Sequence, residues 1–299
     1  MTAIQNLLAA TDLSERSALA ERRAAILCAQ LKCMTAELLT VKEAEQPETL
    51  ARLMNDTPEA AEAVIADAAL CELHARANEL SDNYGVNFTC TVRFGRPAME
   101  IAIRGEEISA DLMVVGAHGG NFFTDLFLGN TADKLVRLCK RPLLIVKNEP
   151  VRQYRNILVP VDFSDDAKQA ANTALQIEPQ ANITFLHAYD VWFEGKMHYA
   201  NVAQEAIDYY RMEARESARL ALNGFIAGLK VPQRHFARHL VFGIPGPVVR
   251  DFAEKMQPDL IVMGKHGRSR IEEMIIGSVT RDTIDQTKCD ILIVPSRSV

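Results

Sequence analysis

The sequence predicts an α/β protein of two tandem doubly wound domains, each a five-stranded parallel sheet with helices on both faces. Three observations predict it. The chain repeats itself at an interval of about 150 residues. In each half, short apolar runs rich in strand formers alternate with longer helical patterns, the signature of βαβ units. Runs such as Leu260-Ile261-Val262-Met263 also lack polar alternation, as expected of strands buried on both faces.

The repeat is read from paired motifs. Asn6-Leu-Leu-Ala-Ala-Thr-Asp12 matches Asn156-Ile-Leu-Val-Pro-Val-Asp162, an offset of 150. Further on the offset is 148: Phe94-Gly95-Arg96-Pro97 pairs with Phe242-Gly243-Ile244-Pro245, and Asp111-Leu-Met-Val-Val-Gly116 with Asp259-Leu-Ile-Val-Met-Gly264. Without a gap, residues 94–146 share 15 identities in 53 positions with their partners, clustered at glycines, the aspartate and strand cores. That clustering argues against chance. The domains are expected at 1–148 and 155–299, joined by Asn148–Arg155 with Pro150 inside it.

In order, the first half is expected to place strands at Asn6–Ala10, Thr35–Val41, Asn87–Arg93, Leu112–Val115 and Leu143–Val146. The second places them at Asn156–Val161, Ile183–Ala188, His235–Val241, Leu260–Met263 and Ile291–Val294. Helices fill the gaps. Ser14 and Ser164 follow the first strand of each half and suit helix N-caps. Glu59–Leu80 and Gln204–Leu229 are alanine-rich and helix-compatible, and Pro232 stops the second. An open sheet of this kind binds ligands beyond the carboxyl ends of its strands, where Asp12, Asp162, Gly116 and Gly264 fall.

Composition narrows the function. The 299 residues are 48% hydrophobic and 24% charged, ordinary for a globular protein. The net charge of −6 divides as −5 over residues 1–148 and −1 over 149–299. Neither half is basic, which disfavours nucleic acid as a partner. No apolar run approaches the roughly 20 residues of a membrane span, and Met1–Asp12 lacks the basic start of a secretory signal. The cysteines, Cys28, Cys33, Cys71, Cys90, Cys139 and Cys289, form no C-x-x-C. They read as small buried hydrophobes in a reducing cytoplasm.

The strongest local signal is Gly264-Lys265-His266-Gly267, nine further residues, then Gly277-Ser278-Val279-Thr280. Glycine at a strand end lets backbone approach a ligand without a Cβ. Helix-like composition after Gly277 makes Ser278–Thr280 a helix N-terminus, whose free N–H groups and dipole favour a phosphate. The Ser278 and Thr280 hydroxyls add hydrogen-bonding capacity. Asp162, at a neighbouring strand end, suits a ribose hydroxyl or the adenine side. A glycine pair can also serve only a tight turn, but the pattern recurs in the first half beside a second strand-end aspartate.

These residues resemble the universal stress protein family, whose nucleotide-binding members carry G-x2-G-x9-G-(S/T). The resemblance covers essentially the whole chain as two copies. It implies Rossmann-like domains of the adenine nucleotide alpha hydrolase-like type and a stress-response regulatory protein binding ATP or AMP, with Mg2+ or Mn2+ left open as companion. By resemblance, Asp162 and Ala188 contact adenosine, and Pro160, Val161 and Met263 belong to the same nucleotide-binding set. Gly264, His266, Gly267 and Arg268 line the ribose and phosphates, and Gly277, Ser278, Val279 and Thr280 hold the phosphates. The first-half set is Asp12, Val41, Gly116, Gly119, Gly129, Asn130 and Thr131. There Asn130 replaces the Ser or Thr, Ala132 replaces Thr280, Gly120 replaces Arg268, and Ala10 replaces Pro160. Nucleotide binding in the first half is therefore expected to be weaker or absent. The resemblance also implies that Leu143–Val146 and Ile291–Val294 pair the halves as a pseudo-dimer, and that two chains form a homodimer.

Other residues have plainer readings. His118 and His266 serve the loop or the ligand, with no partner acid visible for base catalysis. His235 and His239 sit on a strand and fall short of a metal site. Trp192, Tyr199, Tyr209 and Tyr210 read as partly buried core, and Met274-Ile275-Ile276 as helix core. No Ser-His-Asp set, carboxylate pair or Walker A spacing appears. A nucleotide-free interaction scaffold and a slow ATPase stand as the alternatives.

Overall fold

The computed structural model describes residues 4–43, 45–54, 57–119, 128–191, 202–229, 236–267 and 276–295. They form two compact units: Met1–Gln153 with Lys288–Val299, and Tyr154–Thr287.

The first unit runs β1 (Asn6–Thr11), α1 (Ala18–Leu31), β2 (Thr35–Lys42), α2 (Glu45–Met54), α3 (Pro58–Tyr84), β3 (Thr89–Phe94), α4 (Pro97–Glu107), β4 (Leu112–Gly116), α5 (Asn130–Leu138) and β5 (Leu143–Val146). Its sheet has the order β3-β2-β1-β4-β5. These strands are parallel, with Leu7 opposite both Ala36 and Leu112. A sixth strand, β10 (Asp290–Val294), clusters with this unit. It lies antiparallel on β5 with Leu292 opposite Leu144, so the expected pairing of the two last strands is present.

The second unit runs β6 (Asn156–Pro160), α6 (Asp165–Ile177), β7 (Asn182–Tyr189), α7 (Gln204–Ala227), β8 (Ala237–Phe242), α8 (Pro245–Met256), β9 (Leu260–Gly264) and α9 (Ser278–Gln286). Its parallel sheet has the order β9-β6-β7-β8. In both units the chain reverses direction across the sheet beside the first strand, at β1/β4 and at β6/β9. That is the switch point where such sheets open a crevice.

The strand cores explain this arrangement. Leu7, Leu8 and Ala9 are fully buried, as are Ile157, Leu158 and Val159, and Leu260, Ile261 and Val262. Consecutive buried residues point to opposite faces, so both faces of each sheet are covered. The strand-opening aspartates share a job. Asp111 Oδ2 accepts from Gln5 N–H and Asn6 N–H at 2.9 and 3.0 Å. Asp259 Oδ2 accepts from Arg155 N–H and Asn156 N–H at 2.8 Å each. Each therefore fixes the first strand of its unit against the strand that follows the aspartate.

Helix ends follow the local chemistry. Thr57 Oγ1 accepts from Ala60 N–H, Pro58 opens α3, and Gly85 closes it at φ 68°. Ser164 caps α6 by accepting from Ala167 N–H at 3.1 Å. Ser14 departs from expectation. Its hydroxyl accepts from Ser17 N–H, but α1 begins only at Ala18, with Ser17 as N-cap. Cysteine burial departs as well, since Cys71 is exposed and Cys33 and Cys90 are half-buried. Tyr209 and Tyr210 are exposed on α7, not core. Trp192 and Tyr199 lie outside the described residues. Among the described residues, no helix is long and apolar enough to cross a membrane.

Ion pairs tie α4 to the sheet, Arg93 of β3 to Glu100 and Glu107 and, most buried, Arg104 to Glu37. Arg104 Nε and Nη2 each donate to Glu37 of β2 at 2.9 Å. The Glu37 side chain is 8% exposed, and its carboxylate raises the Arg104 guanidinium above its ordinary pKa. Arg104→Ala leaves a buried carboxylate without this bidentate partner, so a loss of about 2 kcal/mol is expected. Chemical denaturation of the full chain checks it; a loss below about 0.5 kcal/mol would place the pair among ordinary surface bridges.

Candidate functional site

The two repeats build their crevices from the same backbone devices. Beyond β6, Asp162 Oδ1 accepts from Ser164 N–H at 3.0 Å and Ser164 Oγ at 2.6 Å. Asp12 does the same with Ser14 at 3.0 and 2.5 Å. The next residue in each repeat takes left-handed backbone, Leu13 at φ 67° and Phe163 at φ 65°. Such conformations are uncommon for bulky side chains and cluster at functional sites. Nothing local in the sequence signals them. Phe163 stacks at 4.3 Å on His187, whose Nδ1 lies 2.7 Å from Val161 O.

The glycine loops close onto the aspartates. A Cβ on Gly267 would sit 3.0 Å from Asp162 Oδ2, and one on Gly119 would sit 2.5 Å from Asp12 Oδ2. Gly277 N–H donates to Lys265 O at 3.1 Å and Gly277 O accepts from Arg281 N–H at 2.9 Å, which sets Gly277 as N-cap of α9. Gly129 makes the equivalent bonds to Ala117 and Asp133 and caps α5. Thr280 Oγ1 donates to Gly264 O at 3.0 Å, so this hydroxyl ties helix to strand. Gly277 supplies no capping side chain, so the first-turn N–H groups are left to solvent or a ligand.

In the second unit these pieces enclose a cleft of about 670 Å³. Twelve of the thirteen second-repeat site residues line it: Pro160, Val161, Asp162, Ala188, Met263, Gly264, His266, Gly267, Gly277, Ser278, Val279 and Thr280. Arg268 lies outside the described residues. The sequence reading missed Ala167, Leu186, His187, Pro245, Val249, Ile276 and Arg281. Pro245 and Val249 come from the first turns of α8, which the repeated Phe-Gly-x-Pro motif opens. Ile276 was expected in a helix core and instead lines the cleft ahead of α9. The cleft thus has an apolar side (Ala188, Pro245, Val249, Met263) and a polar side formed by the glycine loop and α9.

A buried acid organises that loop. Asp166, 2% exposed, accepts from His266 N–H at 3.2 Å, and its Oδ2 lies 3.4 Å from His266 Nδ1. The partner acid that the sequence did not reveal is therefore 100 residues away. The His266 Nε2 atom is buried without a hydrogen-bond partner among the described residues. Asp166→Asn keeps the shape but replaces a charged acceptor with a neutral one at the His266 loop; a loss of about 1 kcal/mol of stability, the net worth of one ordinary hydrogen bond, is expected. Denaturant unfolding of the full-length variant checks it, and an unchanged midpoint would show that the loop is held by its other contacts.

The first repeat departs in charge as well as in motif. Asp12, Gly116, Gly119, Gly129, Asn130 and Thr131 occupy the expected strand ends, loop and helix start, and Val41 lies near the end of β2. Yet Asp133 stands in the first turn of α5 where α9 carries Arg281, and Arg16 stands where Asp166 does. A carboxylate in that first turn repels a phosphate. Val161 and Ala167 line the second cleft, whereas their counterparts Thr11 and Ser17 are bonded to each other at 2.8 Å, and Thr11 donates to Glu21. Arg76 completes that network, donating to Glu21 and to Leu13 O.

No metal cluster is indicated among the described residues. His239 stacks on Phe252 at 4.8 Å, and His235 lies outside the described residues.

Comparison with known proteins agrees with the repeat. The model of the universal stress protein family matches residues 3–147 and again 153–295. Universal stress protein E of Salmonella typhi is 24% identical over 197 residues, 62% of this chain and 61% of that protein's own length. Universal stress protein MJ0531 of Methanocaldococcus jannaschii is 30% identical over 146 residues, 47% of this chain and 82% of that one. The crystal structure of a universal stress protein from Archaeoglobus fulgidus, 19% identical, superposes with a TM-score of 0.62 over 97% of this chain and 98% of that one. With two copies of the family pattern covering nearly all of its length, the chain belongs to the universal stress protein family.

Proposed function

We propose that the second repeat, residues 155–299, binds an adenine nucleotide, ATP or AMP, and that this occupancy is the regulatory signal of a stress-response protein. The observation that supports it most is one cleft uniting Asp162, the Gly264–Gly267 loop and the uncapped first turn of α9. In this reading the first-turn N–H groups, the Ser278 hydroxyl and Arg281 hold the phosphates. Asp162 accepts from the ribose, and Ala188, Pro245, Val249 and Met263 cover the base. A cleft of about 670 Å³ is within the size range of small-ligand sites. Bound nucleotide then favours one conformation or assembly over another. The first repeat, residues 1–148, with Asp133 in place of Arg281, is the silent or weaker copy.

The test is release and chromatography of nucleotide from the freshly purified full chain, followed by titration of the stripped protein with ATP and AMP, with and without Mg2+. Expected is about one adenine nucleotide per chain, as for a protein with a single small-molecule site. No bound nucleotide together with no heat of binding would overturn the reading in favour of a scaffold. Steady release of phosphate during the ATP titration would convert it to a slow ATPase.

A further inference from the structure

The helix α1 ends in an uncommon way. Lys32 adopts left-handed backbone at φ 55° and ψ 51°. Cys28 O accepts from Lys32 N–H and also from Cys33 N–H, the latter at 3.1 Å. Helix ends closed by a bond from the residue after the left-handed position back to the last turn bring the two side chains of that bond into contact. Most helices place an apolar pair there; here the pair is Cys28 and Cys33.

The two thiols are close enough to interact, which holds Cys28 below the ordinary thiol pKa and pushes Cys33 above it, and the Cys33 sulfur also lies 3.8 Å from Ile4 O. Cys33 is half-buried and therefore reachable, whereas Cys28 is 4% exposed. A disulfide needs α-carbons roughly 4.4–6.8 Å apart, and a turn closed directly between the two residues keeps them close. The C-x4-C spacing does not match the usual redox or zinc motifs, so the pair is invisible until the helix end is seen.

We propose that Cys28 and Cys33 form a reversible oxidation site, in which a hydroperoxide converts the thiol pair to a disulfide that staples the end of α1 to the turn before β2. The Cys28 thiol, the more acidic of the pair, gives its proton to water, and its sulfur attacks the peroxide. An S–O bond forms, the O–O bond breaks, and the departing hydroxide (or alkoxide) takes up that proton and leaves as water or alcohol. The Cys33 sulfur then attacks the Cys28 sulfenic acid. The S–S bond forms, the S–O bond breaks, and the departing hydroxide takes the Cys33 proton as a second water. Two thiols are oxidised and one peroxide is reduced. A thiol reductant reverses the step by exchange.

The sequence makes the test direct. Trypsin cuts after Arg23, Lys32 and Lys42, so the two sulfurs fall in separate peptides, Ala24–Lys32 and Cys33–Lys42. The native full-length chain is treated with hydrogen peroxide, its remaining thiols are alkylated, and it is digested without reductant. Expected is a linked Ala24–Lys32/Cys33–Lys42 pair that dithiothreitol separates. It should form faster in the native chain than in guanidinium, and persist in Cys71→Ser and in Cys90→Ser. Exposed Cys71 serves as internal control that oxidant reached the protein. Cys28 still alkylated after Cys71 is oxidised would overturn the proposal. So would a link that forms only in guanidinium, or one that requires Cys71.

Discussion

Replacing Gly277 by valine together with Ser278 by leucine is expected to weaken ATP binding by at least ~100-fold, about 2.7 kcal/mol, while the ligand-free protein melts near its original temperature. The geometry sets both halves of that expectation. A Cβ on Gly277 would meet Lys265 O at 3.4 Å and Thr280 Oγ1 at 3.5 Å, ordinary contacts, so the main chain need not move. Valine's methyl groups then extend over the first turn of α9, and leucine replaces a hydroxyl with a branched apolar group at the exposed position Ser278. On the proposed reading, two charge-assisted hydrogen bonds to phosphate, each contributing roughly 1.5–3 kcal/mol, would be lost. Calorimetry on the stripped variant reads the affinity and a thermal melt reads the fold. The matched change in the first repeat, Gly129→Val with Asn130→Leu, should leave affinity and stoichiometry unaltered. Undiminished binding in the second-repeat variant, or its loss in the first-repeat one, would move the site away from α9.

Much of this fold is legible in the sequence because its central strands are buried on both faces. The expected apolar runs correspond to β1–β10, with ends shifted by one or two residues. Strand ends are decided by hydrogen bonds, not by hydropathy. The helix α2 escaped because it is short, acidic at its start and carries Pro47, which reads as a breaker. Pro47 lies in the first turn, where its missing N–H leaves no helical bond unmade. Ser14 escaped for the opposite reason. It makes the capping bond that its type favours, but a turn intervenes before α1. The antiparallel seat of β10 on β5 joins residues 146 to 150 positions apart, from Ile291 with Ile145 to Ile293 with Leu143, and only the family resemblance pointed to that pairing.

The site divides in the same way. Its glycines, hydroxyls and Asp162 were legible because each is needed at a fixed spacing along one loop or strand end. Asp166, Arg281, Pro245 and Val249 were not, because their relation to the loop is purely spatial. The contrast between Arg281 and Asp133 is the instructive case. The repeat alignment places them opposite each other, and reading charge as well as identity at aligned positions would have found a second difference between the two crevices. The Cys28–Cys33 pair was missed because helix-end geometry, not a motif, creates it.

Gly264→Ala and Gly116→Ala occupy equivalent positions in the two repeats, yet they are expected to differ in cost. At Gly264 an added Cβ would lie 2.6 Å from Asp166 Cβ and 3.0 Å from Asp166 backbone carbon. Those atoms belong to the first turn of α6, which Ser164 caps and whose residues Ala167, Ala170 and Ala171 are buried, so relief requires moving a packed helix. Overpacking of this kind costs about 1–3 kcal/mol, and the upper end is expected here because main chain must shift. At Gly116 the nearest atoms are His118 O at 3.3 Å, Ser17 Cα at 3.7 Å and Arg16 O at 3.8 Å. There α1 begins later than its counterpart and stands further back, so the cost is expected below about 1 kcal/mol. Denaturant unfolding of the two full-length variants measures both, with attention to separate transitions because two units need not unfold together. The Gly264→Ala chain should also bind ATP at least ~10-fold more weakly, about 1.4 kcal/mol, since a displaced Asp166 releases the His266 loop. Equal destabilisation by the two substitutions would show that the close packing of Asp166 on Gly264 does not hold the second loop in place.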